Sequence, residues 1–502
     1  MNPLEAPSTS PRAALEAVEE LANDPSLLES LSAEEKDRLI RAAGRLARPY
    51  RLSRSAMERE ARKEKKRLMV EADRAARAES GIRAARQAEV FTAPLPALPA
   101  PVAPERHLST PQGCYCCKQD FTKLHHFYDD MCPDCAEFNY AKRFQTADLN
   151  GRTAYITGAR LKIGYHAALK MLKAGARVIV STRFPHDAAK RFAAEPDFKE
   201  WGDRVRVHGL DLRHSPSVEI FCRYLCQTET RLDALLNNAA QTVRRPVAFY
   251  EHLLPYESLS WSGLSAVEKK ILGGHYEVTA AIGSSDEKAL ISLDNGPVGI
   301  GLKNSAALSQ VRMVYDDKIT GKDIFPTGKY DQDLQQVDLR TMNTWRMTLA
   351  EVPTPELLEV MLINAVAPFI LAAKLKPLML KTRTGDQHVV NVTAMEGIFS
   401  RGTKTDKHPH TNMAKAALNM MTLTSARDYV NDGIYMNAVD TGWVTDEDPV
   451  VHSLRKQAVH DFQPPLDVVD GAARILDPWF VGLNTGVHHN GKFLKDYKVS
   501  NW

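Results

Sequence analysis

The sequence predicts an α/β fold built on a doubly wound parallel sheet, and three stretches predict it. The first is an apolar run, Thr153-Ala-Tyr-Ile156. The second is the turn Thr157-Gly158-Ala159-Arg160-Leu161-Lys162-Ile163-Gly164, which opens into the helix-forming His166-Ala-Ala-Leu-Lys-Met-Leu-Lys-Ala-Gly175. The third, Gly175-Ala-Arg-Val-Ile-Val-Ser-Thr182, reads as another strand. Strand, glycine turn, helix and strand make a βαβ unit. Such a turn aims backbone N–H groups and the positive end of a helix at a pyrophosphate.

Size and composition set the outer limits. The chain has 502 residues and a formal charge of +3. That length accommodates one large domain with smaller parts. Near-neutral charge selects no class of partner. The N-terminus lacks a basic region followed by an apolar core, so no secretory signal is expected. No apolar run of about 18 residues stands out as a membrane span. A cytoplasmic protein with no membrane partner is expected. The seven cysteines lie mostly in one cluster, which in such a chain points to metal rather than disulfides.

Residues 1–91 are rich in Ala, Glu, Arg and Lys and read as a charged helical arm. Ser32-Ala-Glu-Glu35 matches a capping box ahead of a helix. Arg62-Lys-Glu-Lys-Lys-Arg67 is a basic block. From Met57 to Gln87, interleaved glutamates and the lack of aromatics disfavour nucleic acid and favour a solvated helix or a protein-docking one. Residues 92–106 form a Pro/Ala spacer.

Residues 107–145 read as a four-cysteine zinc module. Cys114 and Cys117 form one Cys-x2-Cys pair and Cys132 and Cys135 another, with fourteen residues between the pairs. Two such knuckles place four thiolates around a tetrahedral ion, the geometry zinc prefers. Cys116 is a spare or an alternative ligand. His125 and His126 are expected on the surface. Four thiolates leave no open coordination position, so the ion is structural, or it serves a docking surface for a protein partner.

From residue 150 to 502 further landmarks follow in order. Asp211-Leu212 closes a third strand and Asn237-Asn238-Ala239-Ala240 a fourth. Asn364 lies in Ile363-Asn-Ala-Val-Ala-Pro368. His388-Val-Val-Asn-Val-Thr393 reads as a fifth strand, ahead of Lys415-Ala-Ala-Leu and Asn437-Ala-Val-Asp-Thr-Gly442. Together with the glycine turn, this series resembles the short-chain dehydrogenase/reductase superfamily. The resemblance implies a Rossmann-type domain over 150–502, a nicotinamide cofactor, a small-molecule substrate and a homo-oligomer. It assigns cofactor contacts to Thr157, Gly158, Arg160, Ile163, Gly164, Asp211, Leu212, Asn238, Ala239, Val444, Thr445 and Lys415. Lys162 stands where the family has its second glycine. No acid follows the second strand; Thr182 and Arg183 stand there instead. A carboxylate would bind the ribose 2′-hydroxyl of NAD, whereas a guanidinium suits the 2′-phosphate of NADP, so NADP is favoured over NAD.

Residues 241–355 depart most from the family. Alternating runs at Tyr276-Glu-Val-Thr-Ala-Ala-Ile282, Ala289-Leu-Ile-Ser-Leu293 and Val311-Arg-Met-Val-Tyr315 suggest a β-rich insertion. Its placement beside the cleft suggests a lid, or alternatively a dimerisation element.

The resemblance implies an oxidoreductase acting on a carbonyl or alcohol, with one gap. Lys415 and Asn364 match the family's ribose-holding lysine and water-positioning asparagine. Thr411 replaces the proton-donating tyrosine, and the serine position falls on Ala394, or on Thr393 with a slip of one. An aliphatic hydroxyl is far less acidic than a phenol, and a nearby lysine does not close that gap. His410 is a candidate donor from its residue type. The alternative is a catalytically silent NADP-binding protein.

Overall fold

The computed structural model describes residues 10–93, 105–282 and 299–502. Most of the Pro/Ala spacer and the expected strand at 289–293 lie outside the described residues. The chain divides into two compact units, one ending at Asp73 and one running Arg74–Trp502.

In the first unit, helix Pro11–Asn23 is capped by Ser10, whose hydroxyl accepts from Ala13 N. A second helix, Ala33–Ala78, begins at the expected capping box, with Ser32 and Glu35 exchanging hydrogen bonds. Its exposed surface carries i,i+4 pairs such as Arg54–Glu58 and Arg67–Glu71, each of which adds a few tenths of a kcal/mol to a helix.

In the second unit, residues of the expected helical arm form helix Gly81–Gln87, whose Ile82 is wholly buried. Next come β1 (Arg106–Gly113) and β2 (Asp120–Leu124), an antiparallel pair, and helix Pro133–Phe144. The large sheet follows, with β3 (Thr153–Thr157), β4 (Arg177–Thr182), β5 (Val205–Gly209), β6 (Ala234–Asn237), β7 (Gln387–Thr393), β8 (Ile434–Asp440), β9 (Phe493–Lys495) and β10 (Lys498–Ser500). Its order is β5-β4-β3-β6-β7-β8-β9-β10. Every pair is parallel except the closing β9–β10 hairpin.

Alternation along the strands divides the core. Ile156, Val180 and Leu236 face helices Lys162–Lys173 and Val468–Thr485, while Tyr155, Ile179 and Leu235 face helices Ser215–Thr228 and Ala367–Met379. Each such side chain contributes about 1.5–3 kcal/mol by burial. Strand order reverses between β3 and β6, which opens a crevice at their carboxyl ends, the place where doubly wound sheets bind ligands.

The insertion corrects the β-rich expectation. Among the described residues it holds helices and 3-10 turns, with isolated bridging at Ile282 and at Tyr330–Gln336 but no strand. The run at 276–282 ends helix Ala266–Ala281. A capping box between Ser265 and Glu268 starts that helix. Ile271, Leu272, His275 and Val278 are buried at helical spacing, and the imidazole of His275 accepts from Gly209 N at the end of β5. Helical packing along an edge strand thus overrides local β propensity.

One helical stretch, Thr354–Met379, is long and apolar enough by length and composition to cross a membrane, an exception to the sequence expectation. Half of its apolar window is buried in the fold, and Ala367, Leu371 and Leu375 join the core beneath the sheet.

Candidate cofactor cleft and metal site

The glycine turn is built for close approach. Gly158 has φ +69, and a Cβ there would lie 2.8 Å from Ala239 Cα. A Cβ on Gly164 would meet Asn238 Nδ2 at 2.4 Å and Gly158 O at 2.5 Å. Asn238 Nδ2 donates to Thr157 O at 2.9 Å, and Ala239 N donates to Thr157 Oγ1 at 2.9 Å. The strand ends of β3 and β6 are thereby stitched together. Lys162 adopts φ 53, the left-handed conformation that explains a glycine preference at this position. Its ammonium faces Asp333 of the insertion at 3.9 Å.

A cleft of about 360 Å³ runs across these strand ends. Its walls include Gly158, Arg160, Ile163, Gly164, Thr182, Arg183, Asp211, Leu212, Asn238, Ala239 and Thr445 of the predicted cofactor set. Thr157 lies beneath it as a hydrogen-bond acceptor. Val444 is buried in the neighbouring apolar cluster. Arg160 pairs with Asp187 at 2.7 Å. Thr182 Oγ1 accepts from Phe184 N at 3.2 Å. Arg183 donates to Tyr250 Oη at 2.8 Å, with its guanidinium 4.8 Å from that ring's centre. Burial works to raise the Asp211 carboxyl, but hydrogen bonds and charge from Arg213 overcome it and hold it below the usual range.

The insertion supplies walls that sequence reasoning missed. Tyr250, Arg245 and Gln335 line the cleft, as does Glu447, which accepts from Thr445 Oγ1 at 2.8 Å and Thr242 Oγ1 at 3.0 Å. Tyr250, Arg245 and Gln335 lie far from the turn in sequence, and no motif marks them. Lys162, Arg245 and Gln335 also line an adjoining cavity of about 570 Å³, whose walls mix polar side chains with apolar ones such as Phe249, Leu454 and Phe462.

Of the predicted catalytic residues, Thr393 ends β7 and His410, Thr411 and Lys415 lie on helix Pro409–Tyr429, while Asn364 lies ahead of β7; none is among the residues that line the cleft. Asn364 sits in a π-turn, Leu362–Val366, a device frequent at functional sites. Its Oδ1 accepts from Gln241 N at 2.8 Å and its Nδ2 donates to Gln241 O at 3.0 Å. Thr393 Oγ1 donates to Asn419 Oδ1 at 2.7 Å. Lys415 Nζ donates to Val392 O at 2.8 Å. Burial pulls the Lys415 ammonium down to about 8, against the opposing charges of Glu396 and Asp440. Thr411 Oγ1 is buried without a hydrogen-bond partner.

His410 is 2% exposed, and neither ring nitrogen has a hydrogen-bond partner. Its Nε2 lies 3.8 Å from Glu356 Oε1. Burial lowers it to about 4, so near neutral pH the ring carries no ionic proton to give. Its neighbour His408 stacks on Trp345, with ring centres 3.9 Å apart.

The four cysteines named above converge. The sulfurs of Cys114, Cys117, Cys132 and Cys135 all lie within 4.8 Å of one another, a cluster that could hold a metal ion. Four thiolates on one tetrahedral ion would stand about 3.8 Å apart, given bonds of about 2.3 Å; Cys117 and Cys132 are 3.7 Å apart. Cys116 turns away toward Met131 Sδ at 3.5 Å. His125 corrects the surface expectation. It is buried against Tyr128 and Tyr140, and its Nδ1 accepts from Phe127 N at 3.1 Å, so it braces the loop between the knuckles.

Residues 152–254 match the short chain dehydrogenase family model, and residues 341–459 match the model described as Enoyl-(Acyl carrier protein) reductase. An uncharacterized protein of Acanthamoeba polyphaga mimivirus is 29% identical over 382 residues, spanning 73% of this chain and 71% of its own. Retinol dehydrogenase 13 of Mus musculus is 38% identical over 96 residues, 19% of this chain and 28% of that protein, so the chain spans under a third of it. A short chain dehydrogenase from Burkholderia cenocepacia, solved in complex with NADP, is 14% identical with a TM-score of 0.42, covering 69% of this chain and 96% of that one. The two family matches, on a sheet whose strand order reverses at the glycine turn, support membership of the short-chain dehydrogenase/reductase superfamily for the doubly wound part of this chain.

Proposed function

We propose that this protein is an NADP-dependent oxidoreductase that interconverts a carbonyl and an alcohol, with a structural zinc ion on Cys114, Cys117, Cys132 and Cys135. The observation that carries the reading is the end of β4. There Arg183 lines the cleft, stacked on Tyr250, where an NAD-selective site would hold a carboxylate. The donor set fits the cofactor: N–H groups of the glycine turn for pyrophosphate, Arg183 for a 2′-phosphate, and the 443–445 turn for the carboxamide.

Bound NADPH would supply the hydride. The chain must supply a proton to the substrate oxygen. Thr411 is too weak an acid, and His410 is held neutral. Lys415 is the buried cation whose acidity suits the task, since a donor near the working pH gives up its proton most effectively. Asn364 and Gln241 brace each other, and Gln241 lines the cleft.

One observation favours a second reading, a silent NADP-binding protein. The side chains of Asn364 and Thr393 already have protein partners. A single set of measurements separates the two. NADPH and NADH binding by calorimetry, with wild type and Arg183→Ala, tests the cofactor; the variant should lose at least tenfold in NADPH affinity and little in NADH affinity. NADPH oxidation over a panel of carbonyl compounds, with wild type and Lys415→Met, tests the chemistry. Tight NADPH binding with no turnover on any compound selects the silent reading.

A further inference from the structure

Tyr115 follows the metal-cluster cysteine Cys114 directly in sequence. Its backbone N donates to Asp130 O at 2.8 Å, which fixes it within the module. Its side chain leaves the module. Tyr115 Oη accepts from Trp443 N at 2.9 Å. Trp443 opens the 443–445 turn, and Gly442 before it has φ +75. A Cβ on Gly442 would lie 3.0 Å from Tyr115 Oη and 2.4 Å from Leu466 Cδ1, so the phenol and the turn are in direct contact.

An apolar seam runs beside that hydrogen bond. Phe121, Tyr128 and Met131 of the module cluster with Val444, Leu466 and Ile163. Ile163 belongs to the glycine turn and Val444 to the 443–445 turn. A Cβ on Gly471 would meet Ile163 Cδ1 at 2.7 Å and Val444 Cγ2 at 3.4 Å, so the two turns converge on one spot. The cysteine module therefore buttresses both turns at once.

We propose that Tyr115 is a positioning residue for the cofactor: it fixes the 443–445 turn, so that binding at the nicotinamide end depends on the cysteine module being folded on its metal. This rests on the NADP reading above. A single net hydrogen bond is worth about 0.5–1.5 kcal/mol, which corresponds to roughly a 2- to 12-fold change in affinity.

The test uses the full chain with Tyr115→Phe, and calorimetric titration with NADPH and with adenosine 2′,5′-bisphosphate, which lacks the nicotinamide. Weaker NADPH binding within that range is expected, with adenosine 2′,5′-bisphosphate binding and zinc content unchanged. Equal NADPH affinity in the two proteins, or equal losses for both ligands, overturns the proposal. Wild type that binds neither ligand refutes the cofactor reading itself. Hydrogen exchange of the wild type needs no variant. Zinc chelation should release the Trp443 amide while β3 and β4 stay protected, and an amide that stays protected after complete zinc removal overturns the link.

Discussion

The Lys162 ammonium stands 3.9 Å from the Asp333 carboxylate and spans the gap from the glycine turn to the insertion. The backbone of Lys162 is left-handed, which costs a residue with a Cβ about 1–2 kcal/mol. Arg191 holds the same loop by donating to Asp333 O at 3.1 Å. Lys162→Gly relieves the strain but adds freedom to the unfolded chain, worth about 0.4–1 kcal/mol. Stability in denaturant titrations should therefore change by less than about 1 kcal/mol. Hydrogen exchange at residues 331–334 should quicken, because the Asp333 carboxylate loses its lysine while Arg191 and the hydrogen bonds of Gln332 to Arg86 O and Ala88 O remain. An unchanged exchange rate would show that the lysine does not anchor the insertion.

Lys415 makes stability depend on pH in a direction opposite to that of most paired lysines. Burial lowers its folded pKa to about 8, below the ordinary value of about 10.4 in the unfolded chain. Between these values the unfolded state binds more protons, so stability rises with pH across that window. Below pH 8 both states are protonated and the folded state carries the full cost of the buried cation, on the order of 3 kcal/mol. Lys415→Met should flatten the rise between pH 8 and 10 in urea titrations. It should also cut turnover by at least 100-fold if Lys415 supplies the proton. A variant that keeps the pH slope assigns that slope to another group.

His410 shows the same logic on the acid side. Its folded value of about 4 lies below the ordinary 6.5, because burial penalises the imidazolium. Stability is therefore whole above pH 6.5 and falls as pH drops toward 4, where protonation favours the unfolded state. His410→Gln should weaken that acid sensitivity, since no ionisable ring is left at the site. It should leave the turnover number at pH 7 within about threefold. A loss of 100-fold with the fold intact would restore His410 as the proton donor.

The landmarks legible in sequence are those where chemistry and fold constrain neighbouring residues together. The turn at 157–164, the Asn237-Asn238 strand end and Lys415 four residues after Thr411 are all local patterns. Residues 276–282 mislead because Val, Thr and Ile favour strands, while the capping box at Ser265 and Glu268 that starts their helix lies eleven residues upstream. Tyr115 and Tyr250 carry no local signal. Each reaches the cleft region across a long loop closure, 328 residues from Tyr115 to Trp443 and 67 from Arg183 to Tyr250. His125 reads as a surface residue until the Phe127 and Tyr128 amides are seen to need an acceptor.

Removal of the proposed zinc ion should do more than empty the cysteine cluster. The module has a two-stranded sheet and one short helix, Pro133–Phe144, too little to stand without a cross-link. Its buried Arg143 donates to both carboxylate oxygens of Asp467, at 2.7 and 2.9 Å, and lies 2.9 Å from Asp470 Oδ1. Asp467 caps helix Val468–Thr485, a wall of the main core. Cys132→Ser should lower zinc content from one per chain to near zero by elemental analysis. The loosened module would leave Asp467 and Asp470 without their buried cation, a loss of about 3–5 kcal/mol when one partner of such a pair is removed. The melting temperature should therefore fall by several degrees. Cys116→Ser, outside the cluster, should keep both zinc and melting temperature, and a Cys116 variant that loses zinc would redraw the ligand set.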